Sequence, residues 1–314
     1  VGLVLVAGCE KSGGDKPSGA LAGDETALLQ YMPAGSVALF GGNYIKFQNY
    51  LANSPLQKLV EKMNTQSPGL SEWMKCWSEE LPNLTMMGSL QLKSATAEIR
   101  YLMKGIDLAV VERCSTKAKF PTTMEADKKY MSYEMAVNGQ TLKGGYLVVA
   151  DGTLYTRMTM GLGGVPQVAS VGRADLDSDL ASLDGKTAAM DTQLVAAMAD
   201  IDRSTAMWFV GSGANTPIAD KVGLVKGTFD LANGIALDVR AEMKDSALAD
   251  KVERGVEEAK KKAGAFGGAA ADVIESIKVS RKADWLRFQL SIDNPKLTAL
   301  IEQITPMLGM LGGR

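Results

Sequence analysis

Cys9, Cys76 and Cys114 are the three thiols of a 314-residue chain that contains no histidine. A thiol becomes a nucleophile when a neighbouring base or cation makes it a thiolate, and zinc and iron sites draw heavily on imidazole. Without that side chain, Ser-His-Asp triads, Cys-His dyads, zincin helices and His-ligated haem or non-haem iron are excluded. A Cys-x-x-Cys pair, a Gly-x-Ser-x-Gly elbow, a Ser-x-x-Lys dyad and a Walker loop are missing as well. Gly161-Leu162-Gly163-Gly164 does not complete a dinucleotide loop, because Pro166 stands in place of the third glycine.

Carboxylates remain for acid–base or cation chemistry. Asp175-Leu176-Asp177-Ser178-Asp179 has the spacing of the first three ligands of a calcium loop. Leu180 stands where the turn glycine belongs, however, and Lys186 where the bidentate Glu belongs, so a capped loop or a helix start is the competing reading. A hydrolase using two carboxylates stays as a third-ranked function, since spacing in sequence says nothing about pairing across a sheet. With 34 Lys plus Arg against 36 Asp plus Glu, the formal charge of -2 leaves no electrostatic footprint for nucleic acid. Trp73, Trp77, Trp208 and Trp285 are scattered, which argues against a stacking cleft. The methionines suit an adaptable core or an apolar pocket. No metal or cofactor is expected.

The start of the chain carries a chemistry performed on the protein by others. Val1-Gly2-Leu3-Val4-Leu5-Val6-Ala7-Gly8 runs uncharged into Cys9. It is too short to cross a bilayer, for which about 20 apolar residues are needed. It reads as the end of a secretory signal, truncated because no initiating Met and no basic segment precede Val1. Val6-Ala7-Gly8-Cys9 resembles the bacterial lipobox, in which a branched apolar residue, a small residue and Gly or Ala precede an acylated Cys. The resemblance implies that Cys9 becomes a lipidated mature N-terminus, and more than one acyl chain makes such anchoring stable. By resemblance to lipoprotein sorting in Gram-negative bacteria, Glu10 in place of Asp after the Cys favours the outer membrane over inner-membrane retention. Glu10 to Asp24, rich in Gly, Ser, Lys and Asp, reads as a flexible tether. Together with the Tyr31-Met32-Pro33-Ala34-Gly35 turn and two internal cysteines, the chain resembles uncharacterised envelope lipoproteins of Gram-negative bacteria, of the myxobacterial kind.

With Cys9 set aside, Cys76 and Cys114 form an even pair in what the resemblance implies is an oxidising compartment. A disulfide is the economical expectation, and two buried reduced thiols the alternative.

The elements that would position these residues follow from periodicity. Ser54-Pro55-Leu56-Gln57 has the cap, proline and capping-box pattern of a helix start, followed by Leu59, Val60 and Met63. A second helix carries Trp73, Met74, Cys76, Trp77 and Leu81. From Ala95 the period becomes two: Ala97, Ile99, Tyr101 and Met103 alternate with Glu98, Arg100, Leu102 and Lys104, as in a strand with one wet face. Ile106 to Cys114 reads as its partner strand. Asn138-Gly139, Asp151-Gly152 and Asn233-Gly234 are hairpin turns between apolar runs. Met190, Leu194, Ala197, Met198 and Ile201 mark a helix face before the strand Thr205 to Gly211. The longest helix opens at Asp245 or Ser246, with Asp250/Arg254, Glu257/Lys261 and Glu258/Lys262 at i,i+4. A strand pair, Ile277 to Arg281 and Trp285 to Ile292, precedes a final helix capped by Asn294 and interrupted at Pro306. Residues 102–108 weakly resemble residues 224–231.

The expected fold is α+β, with antiparallel meander sheets, amphipathic helices packed on one face and two similar lobes. The divisions are 1–8 (signal remnant), 9–25 (acylated Cys and tether), 26–170 (N-terminal lobe) and 171–314 (C-terminal lobe). The expected role is non-enzymatic: a lipid-anchored envelope protein that meets the membrane through its N-terminus and binds a protein partner or serves a structural role. The rival is a periplasmic carrier of a lipid or other apolar ligand, which demands an enclosed apolar cavity.

Overall fold

In a computed structural model of the chain, the described residues are 28–57, 68–81, 84–94, 96–137, 140–161, 168–183, 192–214, 216, 219–231, 233–264 and 267–311. The elements begin with β1 (Ala38–Asn43), α1 (Tyr44–Asn53), α2 (Pro68–Glu80), β2 (Thr85–Leu92), β3 (Thr96–Lys104) and α3 (Leu108–Lys117). Next come β4 (Thr122–Met124), β5 (Tyr130–Val137), β6 (Gln140–Ala150), β7 (Thr153–Gly161), β8 (Val168–Ala169), α4 (Arg173–Leu183) and α5 (Thr192–Ala199). The chain continues through β9 (Met207–Ser212), β10 (Val222–Asp230), β11 (Gly234–Met243), α6 (Ser246–Ala263), α7 (Gly268–Ser276), β12 (Lys278–Lys282), β13 (Trp285–Asp293) and α8 (Asn294–Leu311). This is an α+β fold with one antiparallel sheet. Twelve strands follow the path β12-β13-β11-β10-β9-β1-β2-β3-β7-β6-β5-β4, and β8 pairs with β7.

The hairpins fall where the turn dipeptides place them. Val137 pairs with Gln140 around residues 138–139, which lie outside the described residues. Gly152 turns at φ 61°. Gly234 is required by close approach as well as by its φ of 132°, since a Cβ there would lie 2.0 Å from the Ile292 carbonyl oxygen.

Strand parity sorts the core. Leu39, Met87, Leu102, Tyr155, Trp208 and Val210 share one face and pack with Leu176 of α4 and Leu194 and Met198 of α5. Met103, Leu154, Tyr146 and Met131 share the other and meet Trp77 of α2 and Leu108 and Val111 of α3. On that same second face, Leu286 packs with Ala249 of α6, and Ile292 with Leu297 and Ile301 of α8. The helices therefore do not share one face, as the sequence leads one to expect. The central strands bury both of their faces, so each needs a helical cover.

Other expectations are corrected. Ile106 to Cys114 is not a strand: Asp107 accepts from the Val110 N–H at 2.8 Å and opens α3, burying Leu108, Val111, Cys114 and Ser115 at helical spacing. The β-branched pair at 110–111 misleads because tertiary packing overrides propensity. Ser54 closes α1, its Oγ accepting from the Leu56 N–H at 3.2 Å, and Gln57 is again helical, its N–H bonding the Ser54 carbonyl at 3.0 Å. Leu59, Val60 and Met63 lie outside the described residues. Asp293, not Asn294, caps α8 by accepting from the Lys296 N–H at 2.9 Å, and the helix runs through Pro306 to Leu311. On α6, Asp250 reaches Arg281 of β12 at 2.6 Å and Glu257 reaches Lys260 at 3.1 Å, in place of the expected i,i+4 partners.

The resemblance of residues 102–108 to 224–231 does not survive either. Gly105 ends β3 with φ 88°, whereas Gly227 lies inside β10. Counting outward from the β1–β9 seam gives another correspondence: β1, β2, β3 and β7 lie on one side, and β9, β10, β11 and β13 on the other. Phe40 and Phe209 pair across the seam. Each ring lies over a glycine of the next strand: a Cβ on Gly88 would sit 2.3 Å from the Phe40 ring, and one on Gly227 2.7 Å from the Phe209 ring.

Candidate functional site

The two internal cysteines are joined. Cys76 on α2 and Cys114 on α3 form a disulfide with Cα atoms 5.4 Å apart, buried beside Trp77. Glu80, one turn beyond Cys76, accepts from Arg113 at 2.6 Å and Lys117 at 3.2 Å. The hydrogen bonds from Arg113 and Lys117 hold its carboxyl below the ordinary glutamate value. The two sulfurs and this carboxylate converge within 4.8 Å. The sulfurs are bonded to each other and the carboxylate is already ion-paired, so the cluster ties α2 to α3 and offers no thiolate for a metal. Cys9 lies outside the described residues.

The acidic run is not a calcium loop. It is helical, in α4, which spreads its carboxylates around the axis. Asp175 accepts from the Gly172 N–H at 2.8 Å, and Asp177 meets Arg173 at 3.3 Å. Asp179 turns onto the sheet, taking Arg157 at 2.7 Å, Arg100 at 3.4 Å and the Tyr155 hydroxyl at 3.1 Å. Arg100 also meets Glu98 at 2.8 Å, and Glu98 accepts from Lys93. Glu98 and Arg100, expected on a wet face, are thus buried beneath α4. Period-two alternation reports strand faces but not which face a distant helix will cover. Glu98 and Arg100 at i,i+2 would have been the signal, since two opposite charges on one strand face can satisfy each other when covered.

This buried cluster is poorly made for acid–base catalysis. Burial pushes the Glu98 carboxyl up, but the Lys93 hydrogen bond and the charges of Arg100, Lys93 and Arg157 outweigh it and hold the group below the ordinary glutamate value. A carboxyl kept ionised cannot donate a proton near neutral pH. Burial, reinforced by the Asp179 charge, pushes the Tyr155 hydroxyl well up, so it stays a hydrogen-bond donor. The arrangement fastens α4 to β3 and β7.

Access to solvent distinguishes a second constellation, on the same sheet face but in the other half. Register places Lys226 beside Arg240, Arg240 beside Arg287, and Arg287 beside Ser280, across β10, β11, β13 and β12. Lys282 and Trp285 pair at the end of that row. Together these residues line an open cleft of about 420 Å³. Two smaller clefts, about 320 and 110 Å³, share residues with one another, and the smaller shares Lys226 and Arg240 with the first, so one groove crosses the face. Lys226 pairs with Asp200 and lies 5.1 Å from the Trp285 ring centroid. Arg287 donates to Asp238 at 2.9 Å. Lys278, Ser280 and Lys282 are exposed along the edge strand. Guanidinium, ammonium and indole groups share this open groove with the Asp200, Asp202 and Asp238 carboxylates, an arrangement suited to polar binding. Sequence reading missed this site because its members come from four strands, each showing only ordinary alternation.

No protein-family model matches the chain, and no curated protein matches it. Among solved structures, the chain is similar to crystal form III of TP0453 with TM-score 0.48 and 10% identity, covering 87% of this chain and 96% of that one. Crystal form I of TP0453 gives TM-score 0.44 and 9% identity, over 88% of this chain and 96% of that one.

Proposed function

We propose that this is a non-catalytic binding protein of the bacterial cell envelope, anchored through acyl groups on Cys9, with the outer membrane favoured. The observation that carries the binding role is the open groove of Lys226, Arg240, Lys282, Trp285 and Arg287, which gathers cations and an aromatic ring on one accessible sheet face beside Asp200 and Asp238. Anchoring rests on Val6-Ala7-Gly8-Cys9 and the Gly/Ser/Lys/Asp-rich stretch after it. The folded part is read as two similar lobes that meet at the β1–β9 seam. Support comes from the matching strand order, the Phe40/Gly88 and Phe209/Gly227 stacks, and Gly88-Ser89-Leu90-Gln91-Leu92 beside Gly227-Thr228-Phe229-Asp230-Leu231.

The carrier reading gains less support. A cleft of about 660 Å³ is open and lined by such polar groups as Lys46, Asn49, Asp202 and Ser204, unlike the enclosed apolar cavity a carrier needs. The anchor is tested by palmitate labelling of the full-length precursor, with and without globomycin, beside Cys9→Ser. Label that depends on Cys9 supports the assignment, and an unlabelled wild-type precursor overturns it.

A further inference from the structure

Of the four tryptophans, Trp77 and Trp208 are buried and Trp73 packs against Trp77, but Trp285 is partly exposed at one end of the groove. α5 packs on β9 and β10 of this face through Leu194 and Met198, and the turn after it, Asp200 to Asp202, walls the groove. β11, β13 and β12 carry the open floor beyond. Alternation brings Trp285, Arg287, Gln289 and Ser291 of β13 to that floor, a run of about 20 Å at about 3.4 Å per residue. The charges along it cancel: Lys226 pairs with Asp200, Arg287 with Asp238 at 2.9 Å, and Arg240 with Asp238 at 3.8 Å. The uncharged polar groups are less occupied, since the side chains of Thr228, Ser280, Gln289 and Ser291 make no hydrogen bond to any described residue.

We propose that this groove binds a neutral, β-1,4-linked oligosaccharide, with Trp285 stacking on a pyranose ring and the polar row of β13 taking the hydroxyls. The proposal rests on the binding role argued above and names its ligand class. A sugar ring has an apolar C–H face and a polar rim, so its complement is an aromatic ring flanked by groups that both donate and accept. Gln289 and the Ser280 and Ser291 hydroxyls do both, and they are not committed elsewhere. The cancelled charges favour an uncharged ligand, because an ionic one would have to compete for pairs already formed. Shape selects the linkage. A β-1,4 chain is an extended ribbon that lies along a strand, whereas an α-1,4 chain curls away from the floor.

The test titrates the full chain with chitotetraose and with maltotetraose in a calorimeter. Chitotetraose is expected to bind saturably, and maltotetraose at least tenfold more weakly. Affinity for chitotetraose should fall at least tenfold in Trp285→Ala and in Gln289→Ala/Ser291→Ala, a surface pair expected to leave thermal unfolding unchanged. It should change less than about twofold between about 0.05 and 0.5 M salt, as for an uncharged ligand. No binding of chitotetraose, equal binding of the two sugars, indifference to both variants, or a steep loss in salt overturns the proposal. Co-sedimentation with phosphatidylglycerol vesicles that Trp285→Ala abolishes, without sugar binding, also overturns it but leaves the groove as a binding site. If neither sugar nor vesicle binds, the binding role fails with it.

Discussion

Replacing Asp179 by alanine tests whether the buried charges hold the helix α4 on the sheet. The carboxylate is 11% exposed and faces Arg157, 15% exposed, and Arg100, 6% exposed. Removing one partner of a buried pair typically costs about 3–5 kcal/mol, because the remaining charge keeps its desolvation penalty. Here the loss is softened. Arg100 retains Glu98 at 2.8 Å, and Arg157 retains Asp175 at 3.7 Å, although Asp175 is half exposed. The bond from Tyr155 is lost as well, a further contribution of about 1 kcal/mol. The expected cost is therefore about 3 kcal/mol, read as a fall in the free energy of urea unfolding at pH 7 with little change in slope. Asp177→Ala is the control: its pair with Arg173 lies on the solvent side of the same helix and is worth under about 1 kcal/mol. An Asp179→Ala protein as stable as Asp177→Ala would refute the reasoning, and α4 would then be held by Leu176 and its apolar neighbours alone.

Glu98 supplies a pH signature. Its proton affinity is lower in the folded chain than the ordinary glutamate value of 4.5, so its contribution to stability is complete above that pH and is lost as pH falls through the depressed folded value. The stability gap between wild type and Glu98→Gln should narrow on acidification below about pH 4.5, and a gap constant from pH 7 to 3 would contradict the cause assigned. Cys114→Ser opens a loop with a sequence separation of 38, for which chain entropy gives a loss of up to about 4 kcal/mol. Non-reducing mass mapping of the wild type should show one linked peptide, and reductant should lower the wild-type melting temperature while leaving the variant unmoved. Gly88→Ala and Gly227→Ala each drive a methyl into an aromatic ring and should cost about 1–3 kcal/mol. Gly255→Ala, which meets nothing within 4 Å on α6, should stabilise slightly when the three are compared by thermal unfolding.

Local chemistry was legible from sequence alone. Asn-Gly and Asp-Gly dipeptides flanked by alternating residues predicted three hairpins, two of them closed by the two-residue turn that fixes strand pairing over short range. The even pair of internal cysteines predicted the Cys76–Cys114 bridge, although not that it joins two helices, and an Asp before a 3.6-period pattern predicted α6. What the tertiary structure decided was which face of each strand is covered and which strands become neighbours. Glu98 and Arg100 are buried because α4, some 80 residues away in sequence, lands on them. Lys226, Arg240, Arg287 and Lys282 form one groove because β13 inserts between β11 and β12. Burial and adjacency across a sheet depend on long-range closure, to which a period of two is blind, and so both charged constellations emerge only once the chain is folded.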